Sequence, residues 1–109
     1  MISSRYDTLT DYIDRQREWS LRTFGNGPRR AGIIAHIESE LREIETAPKP
    51  DDLYEWIDVI ILALDGAWRA GYEIDQILTA MRLKQKINFA REWPPPGPQH
   101  EPTEHVREK

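Results

Sequence analysis

Apolar side chains recur every three or four positions in four stretches of the chain, which is the spacing of an amphipathic helix. On the first stretch the spaced positions are Leu9, Tyr12, Ile13, Gln16 and Trp19. The pattern predicts helices over about residues 7–22, 30–46, 51–70 and 74–92, with Asp51 as the N-cap of the third helix and Gly71 as its C-cap. No stretch of the sequence sustains the period-two alternation of a strand, so we expect an all-α bundle of about four helices.

Glycine and proline mark the ends of these helices. Residues 23–28 (Thr-Phe-Gly-Asn-Gly-Pro) predict a loop after the first helix, and Pro48-Lys49-Pro50 ends the second. The proline-rich run from Pro94 to Pro98 cannot continue a helix, because proline lacks the N–H group. We therefore expect a helical domain over residues 1–93 and a Pro-rich polar tail over 94–109, either flexible or laid across a partner.

The third predicted helix is apolar around most of its circumference. Its apolar residues are Leu53, Trp56, Ile57, Val59, Ile60, Ile61, Leu62, Ala63, Leu64, Ala67 and Trp68. A helix of this kind is normally buried inside a protein or an oligomer. Three short neighbouring helices offer too little surface to cover it, so we expect a homo-oligomer whose subunits complete one another's bundle.

Composition and charge exclude several classes of function. The chain has 109 residues, 39% of them apolar and 31% charged, which predicts a single soluble domain. The net charge of −4 argues against a nucleic-acid polymer as partner. The longest apolar run, Val59–Leu64, is far shorter than the roughly 20 residues of a membrane span, and no secretory signal precedes it. We expect a cytoplasmic protein without a membrane partner.

The absence of cysteine excludes disulfides, thiolate zinc sites and cysteine nucleophiles, and the three histidines are scattered. Carboxylates are arranged more tellingly, in pairs three residues apart: Glu40 with Glu43, and Glu55 with Asp58. Such pairs commonly lie on a solvated helix face. On a nearly all-apolar third helix, however, unpaired carboxylates are costly, so they must meet arginines, lysines or metal ions. Across adjacent helices, about 8–10 Å apart, the four carboxylates would suit Mg²⁺ or Mn²⁺.

These motifs resemble a known family. The carrying segments are Glu40-Leu41-Arg42-Glu43, Glu55-Trp56-Ile57-Asp58 and Lys84-Gln85-Lys86-Ile87-Asn88-Phe89-Ala90-Arg91. Their order is similar to the ExxE, ExxD and K-x-x-x-N-x-x-R pattern of MazG-like all-α nucleoside triphosphate pyrophosphohydrolases. Within that family, the segments around Trp19, His36 and Trp68 resemble the phage and bacterial MazZ-type dATP/dGTP diphosphohydrolases, and the likeness extends over residues 19–93.

The resemblance implies hydrolysis of dATP and dGTP to monophosphates with two or three Mg²⁺ or Mn²⁺ ions. Glu40, Glu43, Glu55 and Asp58 match the metal ligands, and one of the ExxE glutamates, preferably Glu40, would also orient or deprotonate the attacking water. Ser39 stands where many relatives have a further glutamate, which leaves Glu38 or Asp65 as an outer carboxylate. Family members are dimers or tetramers, and the expected setting is the cytoplasm of a bacterium or a phage-infected cell.

Candidate nucleotide contacts come from three parts of the chain. Lys84, Asn88 and Arg91 share one face of the fourth helix and suit a triphosphate. Arg29, at the start of the second helix, is a further phosphate candidate. For the base we expect Trp19 and Phe24, which flank the glycine loop, with Asn26 and His36 as polar contacts.

Two other functions stay open at this level. One is a house-cleaning pyrophosphohydrolase for pyrimidine or non-standard nucleoside triphosphates, since the spacing of the carboxylates does not specify the base. The other is a non-catalytic helical adaptor, in which arginines such as Arg22, Arg42 or Arg69 neutralise the carboxylates and the apolar surface binds a partner helix.

Overall fold

The computed structural model describes residues 8–46 and 52–107, and within these ranges every regular element is helical. Four helices follow in order: α1 (Leu9–Phe24), α2 (Arg30–Thr46), α3 (Leu53–Arg69) and α4 (Ile74–Ala90). The predicted all-α class and the number of helices are thereby confirmed. The chain divides into two compact units, one ending at Ile77 and the other beginning at Leu78. The predicted boundary between a domain and a tail at residue 93 stays a prediction.

Helix α1 begins at a side-chain cap and ends at a glycine. The hydroxyl of Thr8 accepts a hydrogen bond from the Asp11 N–H at 3.1 Å. At the other end the helix continues two residues beyond the predicted Arg22, to Phe24, because the first residue with a positive φ is Gly25 (φ 88°). The Gly25 N–H still donates to the Leu21 carbonyl at 3.0 Å, which closes the last turn.

Helix α3 is one or two residues shorter at each end than predicted. Its N-cap is Asp52, whereas the predicted Asp51 lies outside the described residues. Asp52 accepts a hydrogen bond from the Trp56 indole N–H at 3.3 Å. The C-cap is Ala70, and the predicted cap Gly71 follows it with a φ of 104°. Glycine adopts this left-handed conformation without a Cβ clash, so it turns the chain towards α4.

The first unit is built on the packing of α2 along α3, with α1 packed against α3. Its apolar interior comprises Ile13, Ile33, Ile44, Leu62, Trp68, Ile74 and Ile77. Only the last two belong to α4. Other apolar side chains on α2 and α3 stay about half exposed, among them Ile34, Leu41, Trp56 and Ile60. Their exposure agrees with the predicted homo-oligomer, which stays a prediction.

The second unit contains the rest of α4, which ends two residues before the predicted Glu92, and the segment that follows it. The Val106 N–H donates to the Glu92 carbonyl at 2.6 Å, and the rings of Trp93 and His105 meet edge to face at 5.8 Å. Burial lowers the pKa of His105, and the nearby cations Arg91, Arg107 and Lys84 lower it further. The segment after the proline run thus folds back on the end of α4.

A buried polar network joins α1, α3 and the loop between α1 and α2. The Ser20 hydroxyl, fully buried, donates to Asp65 Oδ2 at 2.7 Å, and Arg69 Nε donates to Asp65 Oδ1. Arg69 Nη1 also donates to the carbonyls of Gly25 at 2.7 Å and Gly27 at 2.9 Å. The Arg69 and Asp65 side chains are only 3% and 5% exposed. This buried pair therefore holds the loop against α3 through the hydrogen bonds of Arg69 to the loop carbonyls.

We expect Arg69→Ala to lower the free energy of unfolding by about 3–5 kcal/mol, because it leaves the Asp65 carboxylate buried without a cation. Arg69→Lys keeps a charge but cannot reach Asp65 and both loop carbonyls together, so its loss should be smaller. Urea unfolding followed by far-UV circular dichroism measures both losses. Arg42→Ala on the exposed side of α2 is the control. A loss below about 1 kcal/mol for Arg69→Ala would contradict the role assigned to this network.

Candidate active site

Glu40 is buried on the face of α2 that packs along α3, with 8% of its surface exposed. Its Oε1 lies 3.3 Å from His36 Nε2, one helical turn earlier. Its Oε2 is buried and has no hydrogen-bond partner in the described part of the chain. Burial raises the pKa of Glu40, and the carboxylates of Glu43 and Asp58 raise it further, while His36 opposes them. Charge from both predicted carboxylate pairs therefore converges on Glu40.

Helix α3 presents the second pair. Glu55 is half-buried, and its Oε2 is a second buried carboxylate oxygen without a hydrogen-bond partner among the described residues. Asp58, one turn later, is exposed and close enough for its charge to act on Glu40. None of these four carboxylates pairs with an arginine or lysine in the ranges 8–46 and 52–107. Of the three arginines named in the adaptor hypothesis, Arg69 pairs with Asp65, Arg22 pairs with Glu18, and Arg42 is exposed.

The donor set fits a divalent cation although it is not gathered into a finished cluster. Among the described residues, no three His, Asp or Glu side chains stand close enough together to hold a metal ion. The fit rests on the orphaned Oε2 atoms of Glu40 and Glu55, one from each of two packed helices. Buried carboxylate oxygens without a donor are costly, and hard cations such as Mg²⁺ take oxygen ligands of this kind.

A cavity of about 480 Å³ lies beside these carboxylates, within the first unit. The side chains around it that carry chemistry are Gln16, Trp19, Phe24, Arg29, His36, Asp58 and Asp65. The Trp19 and Phe24 rings meet edge to face at 5.5 Å, and the Arg29 guanidinium lies 4.4 Å from the centre of the Phe24 ring. The structure thus brings three of the predicted base contacts and one phosphate candidate to the same cavity as Asp58.

The remaining predicted contacts lie elsewhere. Asn26 lines a different depression, together with Arg17 and Trp68, so its position does not support a contact to the base. Lys84, Asn88 and Arg91 belong to the second unit. There the Arg91 guanidinium donates to Asn88 Oδ1 at 3.3 Å, which fixes the two polar groups relative to each other. Glu38, proposed as an outer carboxylate, is exposed on α2, and Asp65 is satisfied by Ser20 and Arg69.

The sequence pattern did not identify Gln16 as a candidate contact to a ligand. Its spacing matches that of the apolar positions of the first helix, yet the residue lines the same cavity as Trp19, Phe24 and Asp58. The available signal was its polarity. A single amide on an otherwise apolar helix stripe needs a hydrogen-bond partner wherever that stripe is covered.

Comparison with known proteins gives two curated phage relatives. The chain is 39% identical over 93 residues to the Eaa protein of Salmonella phage P22, an alignment that covers 84% of this chain and 28% of that protein. It is 38% identical over 65 residues to a dATP/dGTP diphosphohydrolase of cyanophage S-2L, covering 60% of this chain and 59% of the relative. The chain therefore spans less than two thirds of either relative. No solved structure matches it.

Two further findings complete the description. None of the helices in the described ranges has the length and apolar character needed to cross a membrane. The sequence pattern of the dATP/dGTP pyrophosphohydrolase family matches residues 12–109, nearly the whole chain, and so includes most of α1 and both carboxylate pairs. The resemblance seen in the motifs is confirmed, and the chain belongs to the dATP/dGTP pyrophosphohydrolase family.

Proposed function

We propose that the chain hydrolyses dATP and dGTP to the monophosphates, with water breaking the bond between the α- and β-phosphates and pyrophosphate leaving. The observation that carries this proposal is the cavity. Two aromatic rings line it together with Asp58 and His36, and His36 contacts the buried Glu40. A nucleotide has a flat apolar base and a polyanionic chain, so a cavity with aromatic rings and a carboxylate cluster beside it matches both of its parts.

In this proposal, Glu40, Glu43, Glu55 and Asp58 hold two or three Mg²⁺ or Mn²⁺ ions. Bound there, the ions would neutralise phosphate oxygens and lower the pKa of the attacking water. Glu40 is the preferred general base of the pair, and it would orient that water and accept its proton. His36 Nε2 lies 3.3 Å from its Oε1 and would help to hold the carboxylate in place.

The phosphate chain needs cations from the protein as well. Arg29 lies against Phe24 in the cavity, and its guanidinium is placed to contact phosphate while its face stays on the ring. Lys84, Asn88 and Arg91 would neutralise the charge that develops on the leaving pyrophosphate. The support for this second set is its helical spacing and the bond between Arg91 and Asn88.

The base would stack on the aromatic pair of Trp19 and Phe24, with His36 as a polar neighbour. A house-cleaning activity on pyrimidine or non-standard nucleotides uses the same carboxylates, so the two differ only in the fit of the base. We further propose that the protein acts as a homo-oligomer, a dimer or tetramer, in the cytoplasm of a bacterium or phage-infected cell. The half-exposed apolar residues of α2 and α3 support the oligomer.

We expect the purified protein to convert dATP and dGTP to monophosphates in Mg²⁺ or Mn²⁺, and to be inactive in EDTA. All four deoxynucleoside and four ribonucleoside triphosphates are tested, with products separated by ion-exchange chromatography. Glu43→Gln should lower kcat at least about 100-fold, because it removes a carboxylate from the cluster. Glu45→Gln, an exposed glutamate on the same helix, is the matched control.

Each other outcome of this assay has a definite meaning. Turnover of pyrimidine or non-standard nucleotides alone would keep the reaction and overturn the purine preference. Full activity of Glu43→Gln would remove that residue from the site. No turnover of any nucleotide, with either ion, would contradict the enzyme hypothesis and favour the helical adaptor.

Thermal unfolding tests the carboxylate cluster without catalysis. In EDTA at pH 8, we expect Glu40→Gln to melt at or above the temperature of the wild type. The reason is that burial raises the pKa of Glu40 above its ordinary 4.5, so the ionised form destabilises the fold. Stability linked to this group is present at low pH and is lost as pH rises through the raised pKa. The advantage of the variant should therefore vanish when the pH falls below about 4.5.

Added Mg²⁺ or Mn²⁺ should raise the melting temperature of the wild type with concentration, because the ion binds the folded state. Glu40→Gln should lose most of that increase, whereas Glu45→Gln should keep it. A wild type that melts at the same temperature in EDTA and in millimolar Mn²⁺ would contradict the metal site. A lower melting temperature for Glu40→Gln in EDTA at pH 8 would contradict the unsatisfied charge at Glu40.

A further inference from the structure

Gln16 combines three features that the proposed reaction does not use. It is half-buried on α1, three residues before Trp19 and three after the fully buried Ile13. Its side chain lines the same 480 Å³ cavity as Trp19 and Phe24. Within the described part of the chain its amide makes no hydrogen bond to another residue, although the neighbouring polar side chains Arg15 and Arg17 do.

A primary amide in such a place is an incomplete recognition group. It offers an acceptor, Oε1, beside a donor, Nε2, and these are adjacent and roughly coplanar. The amide faces the cavity and has no partner in the described part of the chain, so it can bond to a ligand there. A flat ligand stacked beside the aromatic rings would bond to it if its edge carried a donor and an acceptor side by side.

We propose that Gln16 is the residue that reads the base, by pairing with positions 1 and 6 of the purine; this rests on the proposed function. With adenine, Oε1 accepts from the 6-amino group and Nε2 donates to N1. With guanine, the amide is turned over, so that Nε2 donates to O6 and Oε1 accepts from N1–H. The terminal torsion of glutamine is broad and nearly two-fold, so both orientations are accessible to one side chain.

The same mechanism limits what Gln16 can select. Cytosine presents the edge pattern of adenine, and thymine presents that of guanine, so an amide cannot distinguish a purine from a pyrimidine by donors and acceptors alone. The size of the base must make that distinction, because a purine and a pyrimidine stacked on the aromatic pair reach the amide differently. Gln16 therefore selects for a base with a polar substituent at the edge, and Trp19 and Phe24 select for the size of the base.

The test compares four triphosphates: dATP, dGTP, dITP, and the deoxynucleoside triphosphate of unsubstituted purine, which lacks the 6-substituent. The wild type should use the first three with similar kcat/KM, and the unsubstituted purine at least about tenfold less well. Gln16→Met has a similar shape without the amide. It should lower kcat/KM mainly through KM, strongly for the three substituted purines and less for the unsubstituted purine, which keeps only the N1 acceptor, so that the wild-type preference disappears.

Two variants accompany the measurement. Gln16→Glu keeps an acceptor and loses the donor, so dATP turnover should fall more than dGTP turnover, because a carboxylate can accept from guanine N1–H and the 2-amino group. This variant serves if Gln16→Met does not fold. Gln85→Met, an exposed amide on α4, should keep the preference of the wild type. If the wild type hydrolyses dATP and dGTP while Gln16→Met keeps its preference over unsubstituted purine, the role of Gln16 is overturned and the proposed function stands.

A binding arm separates the two claims when no hydrolysis is seen. Isothermal titration calorimetry with dAMP, dGMP and the monophosphate of unsubstituted purine deoxyriboside needs no turnover. Tighter binding of dAMP and dGMP to the wild type, erased in Gln16→Met, would support base reading even if the proposed reaction fails. Equal binding of all three nucleotides to the wild type, or no binding of any, would overturn it.

Discussion

The shape of the cavity depends on one buried ion pair, between Arg69 and Asp65 on α3. The guanidinium neutralises Asp65 in the interior and still has N–H groups for the carbonyls of Gly25 and Gly27. These carbonyls lie between Phe24 and Arg29, so a group on α3 positions both an aromatic and a cationic wall of the cavity. A buried ion pair adds little net stability compared with apolar packing, so its importance here is that it selects one loop conformation.

The buried carboxylates of Glu40 and Glu55, unlike that of Asp65, are not neutralised by a cation of the protein. Asp65 is fully compensated, whereas Glu40 and Glu55 each hold a buried oxygen without a partner among the described residues. The repulsion from Glu43 and Asp58 adds to the cost at Glu40 and raises its pKa. This uncompensated charge at Glu40 is the physical reason for proposing a cation there. Local violations of the rule that buried charges are paired are expected at functional sites, where the remaining structure offsets them.

Much of the fold could be predicted because periodicity and glycine or proline breaks are local. The end of α1 was placed two residues early, since Thr23 and Phe24 have no feature that stops a helix before the positive φ of Gly25. The paired spacing identified Glu40, Glu43, Glu55 and Asp58 as one chemical set, but it also placed Asp65 beside them. Only the three-dimensional contact with Ser20 and Arg69 separates Asp65 from that set. Asn26 shows the same limit, because residue order places it beside Phe24 while the fold turns it towards a different depression.

In the proposed function, binding of the nucleotide and binding of the cation would depend on each other. Asp58 lines the cavity and His36 contacts Glu40, so these carboxylates would repel the phosphates of a bare triphosphate bound there. Without a cation, contacts to the base alone must overcome the repulsion between the carboxylates and the phosphates. A divalent cation between carboxylate and phosphate would replace that repulsion with attraction. By thermodynamic linkage, the nucleotide would raise the affinity for the cation by the same factor. The carboxylate cluster is incomplete without substrate. This is consistent with a site in which phosphate oxygens of the substrate would complete the coordination of the cation.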